Sequence, residues 1–312
     1  MNKAIFTLCT KFDVKRLAMT GGFLDGEAYA CSIILSIMLA KENIGHVELY
    51  TDTIGASLVK SLDLPVDKYH IVYDDFDYPH PLWVVSKLIT FSLQQEPFIH
   101  LDLDAYLWKP LPERMAGAAV VGQSNEENWG SYERGLKHLM ENIKWVPDFI
   151  RTHWNNRHDK IYAMCAGAYG GADIETIQFV SKAAIETINH PENKAMFNEL
   201  LENMTDMDSV FWCYPILMEQ YFMGVYCHQK NIDLHYVLSE EEAPYFTHLM
   251  AESKRDVENT FYLKRKVLTR YPDKFEKIWD SEFWGGFPKE GVTSHNHSFG
   301  YSHNHPYHIK TS

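Results

Sequence analysis

Apolar strand patterns alternate with amphipathic helix patterns over roughly the first hundred residues of this 312-residue chain. Strands are predicted at residues 4–9, 47–51, 69–73 and 98–101, and helices at residues 25–41, 56–62 and 82–93. This alternation is typical of a mainly parallel sheet covered by helices. We therefore predict an α/β fold whose ligand site lies beyond the carboxyl ends of the strands.

The rest of the chain continues the pattern less regularly. Apolar runs predict strands at 118–122, 161–171 and 232–238, and helical patterns follow at 173–187, 191–203 and 254–271. Asp173 is a good N-cap for the first of these helices. Residues 208–226 are strongly apolar but contain Glu219 and Gln220, and residues 279–312 are rich in glycine, histidine and aromatic residues.

Charge and cysteine content exclude several classes of protein. A net charge of −13 argues against a nucleic-acid partner. Five cysteines without a CxxC spacing make a disulfide framework or a structural zinc site unexpected, and we expect a cytoplasmic protein. We find no signal-peptide pattern and no apolar run long enough to span a bilayer, so membrane contact is expected to be peripheral at most.

Two carboxylates close the fourth predicted strand, in the segment PFIHLDLDAYLWKPLP. Residues two apart in a strand face the same side, so Asp102 and Asp104 are predicted to face one site together. Two acids at that spacing repel each other unless a cation neutralises them. A hard divalent ion, Mn²⁺ or Mg²⁺, binds carboxylate oxygens and leaves positions for phosphate oxygens.

These segments resemble the metal-dependent glycosyltransferases of the GT-A fold. The resemblance rests on IHLDLDAYLWKPL, on the polar strand ends TLCTK and LYTD, on CAGAYGG, and on the Glu219–Gln220 pair. It implies a GT-A-like catalytic domain at residues 1–245. Residues 246–312 would add a helix and a His-rich tail that pack on or near the site.

The resemblance also implies the reaction. A sugar would pass from a nucleotide-sugar, expected to be a UDP-sugar, to a saccharide or glycoconjugate acceptor in polysaccharide biosynthesis. Asp104 would bind the metal directly, and Asp102 would contact the ribose or the metal. The third ligand would be His248 or a tail histidine, with His248 favoured because Lys254 follows closely and can meet a phosphate. The tail candidates are His295, His297, His303 and His305.

Further residues receive roles from the same resemblance. Glu219 and Gln220 are the candidate catalytic pair, with Glu219 acting as a base or as a support for a sugar intermediate. The donor would also contact residues on the strand ends and on the helix before the acid pair: Thr7, Thr10, Asp52, Lys87 and Gly167.

Two other functions compete with this interpretation. A haloacid-dehalogenase-like phosphatase also has an Asp-x-Asp after an apolar strand and would use Asp102 as its nucleophile. A non-catalytic carbohydrate-binding protein would account for the tryptophans, including Trp83 and Trp145, but not for the paired acids.

Overall fold

Strands and helices alternate as predicted in the computed structural model of the chain, which describes residues 1–12, 21–78, 82–127, 130–156, 160–203, 213–238, 245–281 and 284. The strands are β1 Lys3–Leu8, β2 His46–Thr51, β3 Lys68–Ile71, β4 Phe98–Leu101, β5 Ala105–Leu107, β6 Val120–Gly122, β7 Ala168–Gly171, β8 Leu234–Tyr236 and β9 Phe246–His248. The helices are α1 Gly26–Asn43, α2 Thr53–Ser61, α3 Val84–Ser92, α4 Gly130–Asn142, α5 Asp148–Asn156, α6 Ile174–Asn189, α7 Lys194–Asn203, α8 Cys213–Ile216, α9 Phe222–Lys230, α10 Val257–Arg270 and α11 Pro272–Asp280.

Within the described residues, seven strands form one mixed sheet in the order β3-β2-β1-β4-β7-β6-β8. Strands β3, β2, β1 and β4 are parallel to one another, and β7 is antiparallel to both β4 and β6. The predicted α/β class is therefore confirmed, and the sheet is mostly parallel. Strands β5 and β9 form a separate antiparallel pair.

Both faces of the sheet are buried by helices. On β1, Ala4, Phe6 and Leu8 join one apolar core and Ile5 joins the other, as the alternation of a strand requires. The first core includes residues of α1, α10 and α11, so residues beyond 245 share a core with the amino-terminal strands. The second lies against α3, α4, α6 and α9.

Two local predictions need correction. The strand expected at residues 161–171 is confined to Ala168–Gly171 and runs antiparallel to β4. Its first residue, Ala168, pairs with Leu101 at the carboxyl end of β4, so the small residues before β7 lie at the site edge of the sheet. The second correction is that Asp102 and Asp104, which were predicted to face one side through strand alternation, lie beyond the end of β4 at Leu101.

Candidate active site

A turn, rather than a strand, brings Asp102 and Asp104 together. The Ala105 N–H donates to the carbonyl of Asp102 at 3.0 Å, and the chain then enters β5. Strand β5 pairs with β9, with Ala105 opposite His248. The two acids therefore face one site, as predicted, but the β5–β9 pair sets the geometry and adds a histidine from a distant part of the chain.

Two serines one turn apart on α1 support this turn. The Ser36 hydroxyl contacts the carbonyl oxygens of Asp102 at 3.1 Å and Ala105 at 2.6 Å. The Ser32 hydroxyl donates to the carbonyl of Leu103 at 2.7 Å. Both serines are buried, so these hydrogen bonds satisfy turn carbonyls that water does not reach.

Asp102, Asp104 and His248 each direct one ligand atom into a common space. These atoms lie within 4.8 Å of one another. His248 Nε2 is 3.1 Å from Asp104 Oδ1 and 3.8 Å from Asp102 Oδ2. Asp104 Oδ1 is buried and accepts no hydrogen bond from the described residues, even at that short distance. A cation in the common space would satisfy this oxygen, as Lys254 satisfies the other oxygen of the same carboxylate.

The other nitrogen of His248 faces Gln123. His248 Nδ1 lies 2.7 Å from Gln123 Oε1, and Gln123 directly follows β6. Gly167 provides the space for this contact, because a Cβ at that position would lie 2.2 Å from both Gln123 Oε1 and His248 Nδ1. Gly167 thus lies beside His248, and a side chain there would displace the histidine; its contact with the donor stays a prediction.

Lys87 carries a buried positive charge between two acids. Its Nζ is 2.9 Å from Asp102 Oδ1 and 2.8 Å from Glu219 Oε1. Burial disfavours the charged lysine, but the carboxylates of Asp102 and Glu219 outweigh burial and raise the pKa of Lys87. Lys87 Nζ also donates to Asp102 Oδ2 at 3.2 Å, so Lys87 contacts both oxygens of the Asp102 carboxylate.

Glu219 lies in a π-helical turn, Leu217–Tyr221, between α8 and α9. Such turns occur often at functional sites, because they reorient one side chain within a helix. The side chain of Glu219 is only 1% exposed, against 23% for Asp102. Burial raises the pKa of Glu219 to about 7 although the nearby Lys87 lowers it, so this carboxyl group gains and loses its proton near neutral pH.

Lys254 supplies a second positive charge, on the opposite side of the acid pair. Its Nζ forms an ion pair with Asp104 Oδ2 and lies 3.4 Å from the carbonyl oxygen of Gly21. Burial favours the neutral form of Asp104, but the ion pair with Lys254 outweighs burial and holds the pKa of this carboxyl group below its usual range. Asp104 is therefore an anion at any ordinary pH.

Of the residues at the strand ends that were predicted to contact the donor, Thr7 is half-buried, whereas Asp52 and Thr10 are buried and bond to each other. Thr7 contacts the buried His100, with 3.1 Å between Thr7 Oγ1 and His100 Nε2. Asp52, in contrast, accepts hydrogen bonds from the backbone N–H and hydroxyl of Thr10 at 2.6 and 2.8 Å, and from Gly55 N–H at 2.8 Å. Asp52 is 1% exposed. We correct its interpretation, and that of Thr10, from donor contact to internal support.

The side chain of Gln220 contacts Tyr132, which in turn contacts Glu126, beside the acid pair. Its amide contacts the hydroxyl of Tyr132, and its oxygen can accept from Ala166 N–H at 3.2 Å. Tyr132 also contacts the carboxylate of Glu126, whose pKa is raised by burial. Gln220 thus connects to the backbone next to Gly167 rather than to the acid pair.

The structure also shows the surroundings of Trp145 and of the cysteines. Trp145 stacks on His190 with ring centroids 4.6 Å apart, so that face is occupied. The described cysteines Cys9, Cys31, Cys165 and Cys227 are not joined in disulfide bonds. The tail histidines and residues 208–212 lie outside the described residues.

Sequence reasoning missed Gln123 and His100. Gln123 is a polar residue directly after an apolar strand, which is the same signal that singled out Asp52 and Asp102. His100 precedes Asp102 by two residues, and His100 Nδ1 lies 3.7 Å from Asp102 Oδ1. Burial, assisted by Lys87, lowers the pKa of His100 well below its usual value, so it is neutral.

In the part of the chain that the structure describes, no helix combines the length and apolar character needed to cross a membrane.

Comparison with known proteins adds a family without a known activity. A search of curated proteins gives no match. One family model matches residues 2–281, which include every site residue described above. The chain belongs to this family, a family of unknown function designated DUF6734.

Proposed function

We propose that the protein is a divalent-metal-dependent glycosyltransferase that uses a nucleotide-sugar, with a UDP-sugar as the expected donor. The observation that carries this proposal is the convergence of Asp102, Asp104 and His248, whose ligand atoms lie within 4.8 Å of one another. The acceptor would be a saccharide or glycoconjugate. The mixed, mostly parallel sheet is compatible with a GT-A fold.

The donor set fits Mn²⁺ or Mg²⁺. Two carboxylates and one imidazole suit Mn²⁺, and a set dominated by oxygen also accepts Mg²⁺. The buried Asp104 Oδ1, which accepts no hydrogen bond from the described residues, is an oxygen that a cation would satisfy. Asp102 is the most exposed of the three ligands, and it therefore borders the space where further ligands of the ion would enter.

A bound ion would supply positive charge against the leaving diphosphate. The protein adds its own charges around that position. Lys254, next to Asp104, is one-fifth exposed and is the group best placed to meet a phosphate oxygen. Lys87 is almost completely buried and holds Asp102 in place. Glu219 can accept or hold a proton near neutral pH, either as a base for an acceptor hydroxyl or as support for a sugar intermediate.

The cellular setting follows from the same proposal. A nucleotide-sugar is a cytoplasmic metabolite, and four described cysteines are not joined in disulfide bonds, as in a reducing compartment. We place the protein in the cytoplasm, in polysaccharide biosynthesis, with peripheral membrane contact at most.

A donor screen tests the proposal. Purified protein is incubated with a panel of nucleotide-sugars and Mn²⁺ or Mg²⁺, and release of the nucleoside diphosphate is measured for wild type and Asp104→Ala. We expect metal-dependent hydrolysis of one donor class by the wild type only. Hydrolysis of simple phosphate esters, with no effect of nucleotides, would instead support a phosphatase. Saccharide binding without turnover of any donor would support a carbohydrate-binding protein.

A further inference from the structure

Gln123 determines which nitrogen of His248 faces the acid pair. An amide oxygen can only accept a hydrogen bond, so the contact of 2.7 Å between Gln123 Oε1 and His248 Nδ1 requires a proton on Nδ1. In a neutral imidazole, a proton on Nδ1 leaves the lone pair on Nε2. Nε2 is the nitrogen that lies 3.1 Å from Asp104 Oδ1.

We propose that Gln123 is a positioning residue that fixes the tautomer and the ring orientation of His248, so that Nε2 is presented as a metal ligand. The inference rests on the metal site of the proposed function. Metal-binding histidines generally donate their second N–H to a fixed acceptor, which orients the ring and raises its basicity as a ligand.

The fold holds the acceptor itself rigidly. The backbone N–H of Gln123 donates to the carbonyl of Cys165 at 2.8 Å, and its carbonyl accepts from Leu238 N–H at 2.8 Å. Gln123 is 3% exposed, so water does not compete for its amide. The missing side chain at Gly167 keeps the path between Gln123 and His248 open. Position 123 is therefore held between two neighbouring segments of chain while its side chain reaches the histidine.

The orienting contact also connects the two parts of the site. His248 is on β9, whereas Gln123 follows β6 of the large sheet. This hydrogen bond joins the metal-binding edge of the small β5–β9 pair directly to the end of a strand of the large sheet. Loss of the acceptor would free the ring to rotate or to change tautomer, and either change would remove Nε2 as a ligand.

Two variants at position 123 separate orientation from packing. Gln123→Leu keeps the approximate volume and removes the acceptor, whereas Gln123→Glu keeps an acceptor oxygen at the same reach. Gln94→Leu is the matched control, because Gln94 is 1% exposed and its amide nitrogen donates to the carbonyl of Thr90, away from the acid pair. Mn²⁺ affinity is measured for all three by electron paramagnetic resonance titration. The tautomer of His248 is measured in metal-free protein by ¹⁵N NMR.

We expect Gln123→Leu to bind Mn²⁺ about 10- to 100-fold more weakly than wild type, with Gln123→Glu and Gln94→Leu close to wild type. We expect metal-free wild-type His248 to carry a proton on Nδ1. Unchanged Mn²⁺ affinity in Gln123→Leu, or an unprotonated Nδ1 in wild type, would overturn the inference. Wild-type protein that binds no Mn²⁺ would overturn the metal site proposed above, and the NMR measurement would then decide the role of Gln123 alone. That NMR measurement also keeps the test valid if Gln123→Leu does not fold.

Discussion

Removing the buried charge of Lys87 should destabilise the fold strongly and in a pH-dependent way. In Lys87→Met, the carboxyl groups of Glu219 and Asp102 lose the ammonium group that lies 2.8 and 2.9 Å from them. Removing one partner of a buried ion pair typically costs about 3–5 kcal/mol, because the remaining charge is left without compensation. Glu219 should dominate this cost, since its side chain is 1% exposed whereas that of Asp102 is 23% exposed and partly solvated.

The protonation of Glu219 sets the pH dependence. Its pKa is about 7 in the folded protein and is lowered by Lys87, so it should rise further in Lys87→Met. At pH 5 the carboxyl group is protonated in both proteins, and no unpaired charge is buried at that position. As the pH rises through 7, wild-type Glu219 ionises beside Lys87, whereas the variant must keep the proton or bury a bare anion. The loss of unfolding free energy should therefore be larger at pH 8 than at pH 5.

Urea unfolding at pH 5 and pH 8 measures this difference. The unfolding free energy of the double variant Lys87→Met/Glu219→Gln should exceed the value expected from the sum of the two single-variant changes by about 0.5–3 kcal/mol. Lys41→Met is the matched control, because Lys41 pairs with Asp67 at 2.7 Å with both side chains one-third exposed. Such a surface pair contributes about 0–1 kcal/mol. Equal losses for Lys87→Met and Lys41→Met, or a loss independent of pH and of Glu219, would refute this reasoning.

Three further changes test other parts of the account. Between pH 5 and pH 8, the unfolding free energy of Glu219→Gln should rise relative to that of wild type. The raised pKa of Glu219 means that wild type has the full stability from this group below about pH 4.5 and loses it as the pH rises through 7. A difference in unfolding free energy that does not change with pH in urea unfolding would contradict this. Asp52→Ala should lower the unfolding free energy by about 1–3 kcal/mol, because the helix cap and the hydrogen bonds to Thr10 are lost. An unchanged thermal unfolding midpoint would argue against the role of Asp52 as internal support. Gly167→Ala should weaken Mn²⁺ binding, because its Cβ would lie 2.2 Å from His248 Nδ1; Mn²⁺ titration with wild-type affinity would contradict the close packing.

The fold class could be predicted because its signals are local. Apolar runs and helical spacing over residues 4–101 predicted the bounds of the four parallel strands to within two residues at each end. Asp173 was a predicted cap, and its carboxylate does accept from Thr176 N–H at 3.1 Å. The direction of β7 was not predictable, because small residues at a strand end look the same in either direction. Pairing with β4 decides it.

The site was predicted only in part, for a related reason. Asp102 and Asp104 were found together because they are two residues apart, although a turn and not strand alternation brings them together. His248 was favoured as the third ligand through the resemblance and the nearby Lys254, but its pairing with Ala105 spans more than a hundred residues and could not be predicted from local sequence patterns. Asp52 gave the same sequence signal as Asp102, a polar residue after a buried strand, but Thr10 and Gly55 occupy its oxygens.

Mn²⁺ and UDP binding to Asp104→Asn tests the central claim most directly. Electron paramagnetic resonance titration would be made on wild type, Asp104→Asn and the surface control Asp67→Asn, each with and without UDP. We predict that wild type and Asp67→Asn bind Mn²⁺, and that UDP and Mn²⁺ strengthen each other's binding by the same factor, as linkage requires. Asp104→Asn should lose both the ion and this mutual effect. Equal binding of Mn²⁺ and UDP by Asp104→Asn and wild type, or no binding of either by wild type, would contradict the account.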